Sequence, residues 1–412
     1  MNVPSERRYD LLTLGETLMR LSPPADQRIE QARLLEIGIG GSELNVSCLL
    51  ARLGRRVVWV SRLPEGPLGR IVDGEARRHG VDTRWVRWMP NARLGLMFYE
   101  PGPEPRTGRV IYDRKHSAAS ELAFEDAPWD ALVQASAWLH LSGITPVLGP
   151  SCRALILQLA ALAASAGKPV SYDLNYRATL TTPLEARALL EAAAPHLHLL
   201  VLAERDAQGV LGFGESGEQL AAGIAARYRV PLVALTRPPD AEPGTLLLAR
   251  GEFRYAPRYA VEVVDRIGAG DSFVAGLIHG LLDGDLDLAI RLGAFAAAIG
   301  LATPGDINYL GPEDIVRFRN DTIGGLERLA PKGFSTLGVA TSADQKAGYD
   351  RPGDGLEEGE QLLDLHRPGV RNKDDVLVAD GKLVGQQVGV GVGEVEPVGN
   401  RRSHVRCTGR RR

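Results

Sequence analysis

Asp271 stands in DRIGAGDSFVAG, residues 265 to 276, behind three small residues and in front of an apolar run. Gly268 and Gly270 permit backbone turns closed to larger residues, and Ala269 keeps the approach open. SFVAGLIHGLL then has helical spacing, so its first free N–H groups face the same space as the turn. The two together make a phosphate cradle of backbone donors. A carboxylate at that junction has two readings. It can take a proton from a hydroxyl while the cradle neutralises a moving phosphoryl group, or it can serve only as an N-cap.

Three further stretches offer polar groups suited to a small, oxygen-rich ligand. In IGIGGSELN, Gly40 and Gly41 expose backbone, and a helix starting near Ser42 carries Asn45 on its first turn. Asn45 can bind hydroxyls or tie down its own helix, and Glu16, after the first strand, is equally ambiguous. YDRKHSA supplies Tyr112, Arg114 and Ser117; in an extended segment Tyr112 and Arg114 share a face. A guanidinium there suits a planar carboxylate, although a solvated face fits too. YDLNYR ends a strand with Asp173, Asn175 and Arg177 on one side if the strand persists. That set suits a sugar and its negative charge, or Asp173 and Arg177 simply pair.

The elements that must position these groups follow a strand–helix rhythm from about 9 to 320. LLTLGE, RRVVWVSRL, AWLHLSG, KPVSYDLN, HLLVLAE and VPLVALT are strand candidates, and ELNVSCLLARLG and LGRIVDGEARRHG are helices closed by glycine. This βαβ pattern implies an α/β fold with a mainly parallel sheet, whose strand ends bind ligands. Residues 83 to 115 break the rhythm with two β-like segments around a Pro/Gly-rich turn and suggest an inserted lid hairpin. From 321 to 412 the rhythm is lost. VGQQVGVGVGEVEPVG alternates valine and glycine, and six of the last twelve residues are arginine. This atypical C-terminal extension is expected to be disordered or poorly packed.

Bulk properties narrow the function. Net charge is −3, so nothing global suggests a nucleic-acid partner. Cys48, Cys152 and Cys407 are too scattered for a disulfide framework or zinc site, which suits a cytoplasmic setting. The start has no long apolar run, and ALILQLAALAASAG is too short to span a membrane, so no membrane partner is expected. There is no GxxxxGK[ST] loop, no HExxH and no nucleophile elbow. GFGESG, 212 to 217, matches GxGxxG only as a string, because it follows a helix-like segment.

Taken in order, GGxxxN, YxRxxSA, DxNxR and GAGDSF resemble the ribokinase-like (PfkB) carbohydrate kinase family over roughly residues 9 to 319. YxRxxSA with DLNYR is most similar to 2-keto-3-deoxygluconate kinases. The resemblance implies a three-layer sandwich with a small β lid, and transfer of the ATP γ-phosphate with Mg2+ to the terminal hydroxyl of a sugar acid. It implies Asp271 as base and Gly268, Ala269 and Gly270 as anion hole. Substrate contacts would come from Gly40, Gly41, Asn45, Tyr112, Arg114, Arg177 and Asp306. A kinase for another sugar such as fructose, or a catalytically silent sugar-binding homologue, are the alternatives. The family's NxxE is altered here to Ala203-Glu204-Arg205-Asp206, leaving Asp206 to hold magnesium indirectly through water. Met97 stands where an aromatic is common. TRPPDAEPGTLLLARG lacks the usual glycine-rich turn, so Arg237 is the candidate there for a nucleotide phosphate. The lid of this family implies a homo-oligomeric contact, with Trp85, Val86, Trp88 and Phe98 as candidates either for that contact or for covering the local core.

Overall fold

The computed structural model describes residues 9–324 except 25, 26, 103–105 and 107, with backbone only for 320–324. The extension beyond 324, including its valine–glycine and arginine-rich stretches, lies outside the described residues.

The described chain runs β1 (Leu11–Leu14), β2 (Leu18–Ser22), β3 (Glu36–Gly40), α1 (Ser42–Arg52), β4 (Val57–Val60), β5 (Arg62–Pro64) and α2 (Pro67–Arg78). It continues with β6 (Arg87–Met89), β7 (Gly95–Glu100), β8 (Arg109–Asp113), α3 (Trp129–Ala135), β9 (Leu139–Ser142), α4 (Pro150–Ser165), β10 (Val170–Asp173) and α5 (Pro183–Ala193). Then follow β11 (Leu199–Ala203), α6 (Glu204–Gly209), α7 (Gly217–Tyr228), β12 (Leu232–Thr236), β13 (Thr245–Ala249) and β14 (Glu252–Ala256). The last helices are α8 (Ala269–Leu282), α9 (Leu286–Leu301) and α10 (Pro312–Gly324). α10 crosses position 320, so the sequence-based domain cut falls inside a helix.

The strands order as β14-β13-β12-β11-β10-β9-β1-β4, parallel from β12 to β4 and antiparallel at the β12–β13–β14 edge. The parallel strands β1, β4 and β11 read LLTL, VVWV and LLVLA because both faces are covered, as parallel sheets require. Alternate residues go to opposite layers. Leu12, Val58, Leu200 and Val233 pack with Leu155, Leu190 and Leu220, on α4, α5 and α7. Leu11, Val57, Leu199 and Leu232 pack with Leu49, Phe273, Ile290 and Phe318, on α1, α8, α9 and α10. The result is a three-layer sandwich.

After β1 the chain first adds β4 on one side and later β9 on the other, so strand order reverses between β1 and β9. The carboxyl ends of both strands flank the crevice that such a reversal opens.

The lid differs from the expected hairpin of 83–115. β7 and β8 do form an antiparallel hairpin, but they belong to a four-stranded sheet, β3-β2-β7-β8. β6 pairs in parallel with β5 outside that sheet. Val86 is buried in a core cluster with Met19, Trp59 and Leu63, so it is not a surface contact, and Trp85 is partly buried against the main core. GFGESG lies between α6 and the start of α7, as the helix before it required. No described helix is long and apolar enough to cross a membrane.

Candidate active site

A cavity of about 830 Å³ opens at the carboxyl ends of the strands and under the lid sheet. Gly40, Gly41, Asn45, Tyr112, Arg114, Arg177, Asp206, Gly268, Gly270, Asp271 and Asp306 all line it. Eleven of the thirteen residues given a site role by the family resemblance therefore meet in one place.

Gly268 caps α8 with a left-handed backbone, φ +81. A Cβ on it would lie 2.1 Å from the Asp306 carbonyl oxygen. Glycine is thus required twice over, by conformation and by the close approach of another segment. Asp271 is the third residue of the helix and not its N-cap, which closes the purely capping alternative. Gly270 is exposed, with open space beside its Cα, and lines the cavity together with Gly268 at the start of α8, where helix N–H groups have no intrahelical partner. Ala269 does not line the cavity; its Cα packs toward Gly300 of α9.

The Asp271 carboxylate is buried. It accepts Ser42 Oγ at 2.8 Å on one oxygen and Asn45 Nδ2 at 2.7 Å on the other. Asn175 Nδ2 donates to Ser42 Oγ at 2.9 Å and extends the network. Burial pushes the Asp271 carboxyl above its ordinary value, while Asn45 and Ser42 pull against that shift. The outcome is an oriented carboxylate more basic than a surface one, as a hydroxyl-activating base requires. Gly40 lets β3 pass close to Asp306, whose Oδ2 would sit 1.7 Å from a Cβ there.

Other carboxyls gather beneath. Burial, reinforced by Asp271, pushes Asp173 up to about 8, and burial pushes Glu43 up to about 7. Glu43 accepts Thr145 Oγ1, and its Oε2 is buried without a partner among the described residues. Nothing in the local sequence marks Glu43, because a glutamate at a helix start normally faces water. For Asp173 the raised value sets a sign. Below about pH 4 both folded and unfolded states hold the proton. Between there and pH 8 only the folded state does, so the wild type loses stability as pH rises, by at most about 1.4 kcal/mol per unit. Asp173→Asn lacks this loss, so its melting temperature should gain on the parent's from pH 5 to pH 8. Parallel melting curves check this, and a constant gap would refute it.

The arginines divide. Arg177 is exposed at the cavity wall, and no described carboxylate lies within ion-pair distance of it. Its approach differs from the one expected, because the strand ends at Asp173 and Asn175 turns left-handed at φ +39. Arg114 is already engaged: Nε donates to Glu16 Oε2 at 2.7 Å, and Ser117 Oγ donates to Glu16 Oε1. Glu16 is thus the anchor of the lid's YxRxxSA segment. Its ambiguity in the sequence ends there.

Arg237 corrects an expectation. It does not line the cavity: Nε donates to Glu204 at 3.1 Å and Nη1 to the Pro243 carbonyl at 3.0 Å. The resemblance made Arg237 a candidate for a nucleotide phosphate, but α6 supplies a buried carboxylate that holds it. Asp206 lines the cavity and sits 3.2 Å from Arg205 Nε, and burial pushes its carboxyl up. Met97 and Tyr99 both line the cavity, because β7 is regular and keeps alternate residues on one side.

The sequence pattern of pfkB family carbohydrate kinases matches residues 9–311. The chain belongs to that family. As a pfkB kinase it is an ATP-dependent carbohydrate kinase, and the ribokinase-like fold expected from the motifs is the fold observed. It is 37% identical over 320 residues to the 2-dehydro-3-deoxygalactonokinase of Haloferax volcanii, covering 77% of this chain and 99% of that one. It is 30% identical over 310 residues to the 2-dehydro-3-deoxygluconokinase of Bacillus subtilis, covering 74% and 93%. The crystal structure of 2-dehydro-3-deoxygluconokinase from Thermotoga maritima superposes with a TM-score of 0.71 at 33% identity, over 76% of this chain and 99% of that one.

Proposed function

We propose that this pfkB kinase transfers the γ-phosphoryl group of ATP to the terminal hydroxyl of a 2-keto-3-deoxy sugar acid, 2-keto-3-deoxygluconate or its C4 epimer. The observation that carries this reading is the buried Asp271, held by Ser42 and Asn45 beside the open N-terminus of α8. The names of the relatives support the substrate class.

In this reading the sugar lies under the lid, with hydroxyls on Gly40, Gly41 and Asn45 and with Tyr112 and Asp306 against its body. Arg177, exposed at the cavity wall and in no ion pair among the described residues, is the cation for the carboxylate in this reading. Arg114 contributes at the lid while its charge is balanced by Glu16. Asp271 takes the hydroxyl proton as the oxygen attacks phosphorus, and the backbone donors at Gly268, Ala269 and Gly270 stabilise the equatorial oxygens. The lid sheet excludes water, which would otherwise compete as acceptor. Magnesium on the ATP phosphates supplies charge neutralisation there. Several carboxylates line the cavity, and Asp206 is the one at the altered segment; one such ligand fits an ion that keeps most of its waters and is held largely by phosphates. Asp206 is the residue that would hold it, through water, in the altered Ala203-Glu204-Arg205-Asp206 segment.

ADP release coupled to a dehydrogenase, with mass detection of the product, tests the reading. The expected result is turnover on one or both keto-acid epimers well above that on fructose or aldonic acids. Preference for a neutral hexose would favour the kinase for another sugar, and no sugar-dependent ADP would favour a silent homologue. Arg177→Ala is expected to raise KM for the keto acid about tenfold or more while leaving KM for ATP near the parent value. An equal loss on neutral sugars would contradict its role.

Leu34 and Ile37, just before and in β3, and Ile111 in β8 are exposed apolar residues of the lid region, which supports a second copy packing there. The free, buried Cys48 and Cys152 are consistent with action in the cytoplasm. The kinase domain is taken to end with α10, a few residues beyond the 320 read from the sequence, and the rest of the chain is taken as an appendage to it.

A further inference from the structure

Arg20 is absent from the cavity wall, and no motif of the sequence includes it. It lies in β2 of the lid sheet, in the otherwise apolar string LMRLS. Its side chain is only 9% exposed. Nη2 reaches Asp265 Oδ2 at 2.5 Å, Nη1 reaches Asp306 Oδ1 at 2.6 Å, and Nε reaches Ser22 Oγ at 2.9 Å. The ring of Tyr99, from the neighbouring strand β7, lies 4.3 Å from the guanidinium carbon. A buried guanidinium with this many partners is held in one geometry.

Its two carboxylate partners both belong to segments that shape the anion hole. Asp265 begins the turn: its Oδ1 accepts the Ile267 N–H at 3.0 Å, and its Oδ2 accepts the Gly305 N–H at 3.2 Å. Asp306 packs its carbonyl oxygen against Gly268 and its carboxylate against Gly40. One side chain of the lid therefore grips the turn that leads to Asp271 and the segment that supports that turn. Without it two buried carboxylates would face each other with no cation between them.

Resting on the kinase reading above, we propose that Arg20 is a positioning residue for phosphoryl transfer, clamping the Gly268–Asp271 turn in register with the lid sheet through Asp265 and Asp306. It touches no reactant. Its effect is on where the backbone donors stand when the phosphoryl group moves, and small displacements of such donors cost turnover more than binding.

The test is Arg20→Ala in the full chain, with Arg20→Lys beside it. Arg20→Ala is expected to lower kcat on the sugar acid by about tenfold to a hundredfold. KM for ATP and for the sugar should stay within about threefold. Millimolar guanidinium chloride should restore part of the lost kcat, and urea of the same shape but no charge should not. Arg20→Lys, with one cation that cannot fork to both carboxylates, should fall between parent and alanine variant. Amide hydrogen exchange over 266–270 should speed up in Arg20→Ala and slow again with guanidinium. If the alanine variant does not fold, the lysine variant carries the same measurements, with faster exchange and reduced kcat expected. Parent-like kcat, or a loss that guanidinium does not relieve together with unchanged exchange, would overturn the clamp. Absence of sugar-dependent ADP release by the parent would instead remove the kinase reading, and the exchange result would still decide whether Arg20 holds the turn.

Discussion

Replacing Asp271 by asparagine should lower kcat by about a hundredfold to ten-thousandfold and leave the KM values near those of the parent. The substitution keeps size and shape, so Ser42 and Asn45 still enclose the side chain, but it removes the only group at the helix start that can take the hydroxyl proton. It also removes a buried carboxyl whose proton affinity is raised, so the fold should not be destabilised above neutral pH: the charge whose burial is costly is gone. This pairing of lost turnover with retained stability separates a chemical role from a structural one. A purely structural aspartate would show the reverse, a lower melting temperature and nearly normal turnover. Steady-state kinetics and a melting curve on the same preparation decide it.

Gly268→Ala is the second large effect. The residue sits at φ +81, where an L side chain is strained by about 1–3 kcal/mol. Its new Cβ would also press on the Asp306 carbonyl from 2.1 Å. Backbone is on both sides of that contact, so no rotamer change relieves it. Either the turn or the Asp306 segment must move, and with it the N–H groups of the anion hole. Turnover should fall about a hundredfold or more, and stability should fall as well. Alanine at Gly270 makes a control, because a Cβ there meets nothing within 4 Å and its effect on stability should be small. If Gly268→Ala matched the parent in kcat, the turn would not be the element that stabilises the transferred group.

What the sequence made legible was local. The turn at Gly268 and the helix after it could be read because the small residues, the carboxylate and the apolar run are contiguous. The parallel strands could be read because burial on both faces writes itself as unbroken apolar strings. The lid was only half legible. Its hairpin announced itself by a Pro/Gly turn, but β2 finds β7 far along the chain, and no local pattern marks that pairing. Arg20 lay hidden for the same reason: its partners are 245 and 286 residues away. Period-two reasoning failed at Asn175, where the left-handed backbone ends the alternation, yet the three polar residues still converge because the loop folds over the same cavity. That Arg237 is held away from the cavity was not legible, because its partner Glu204 belongs to α6, and only the fold brings the two together.

A structure of the protein with a 2-keto-3-deoxy sugar acid and a non-transferable ATP analogue tests the central claim most directly. The terminal hydroxyl oxygen should lie within about 3.2 Å of an Asp271 carboxylate oxygen. The γ-phosphate should rest against the N–H groups of Gly268 to Asp271, and the sugar carboxylate should meet Arg177. A sugar bound with its terminal hydroxyl away from Asp271, or a γ-phosphate held elsewhere than at the start of α8, would contradict it.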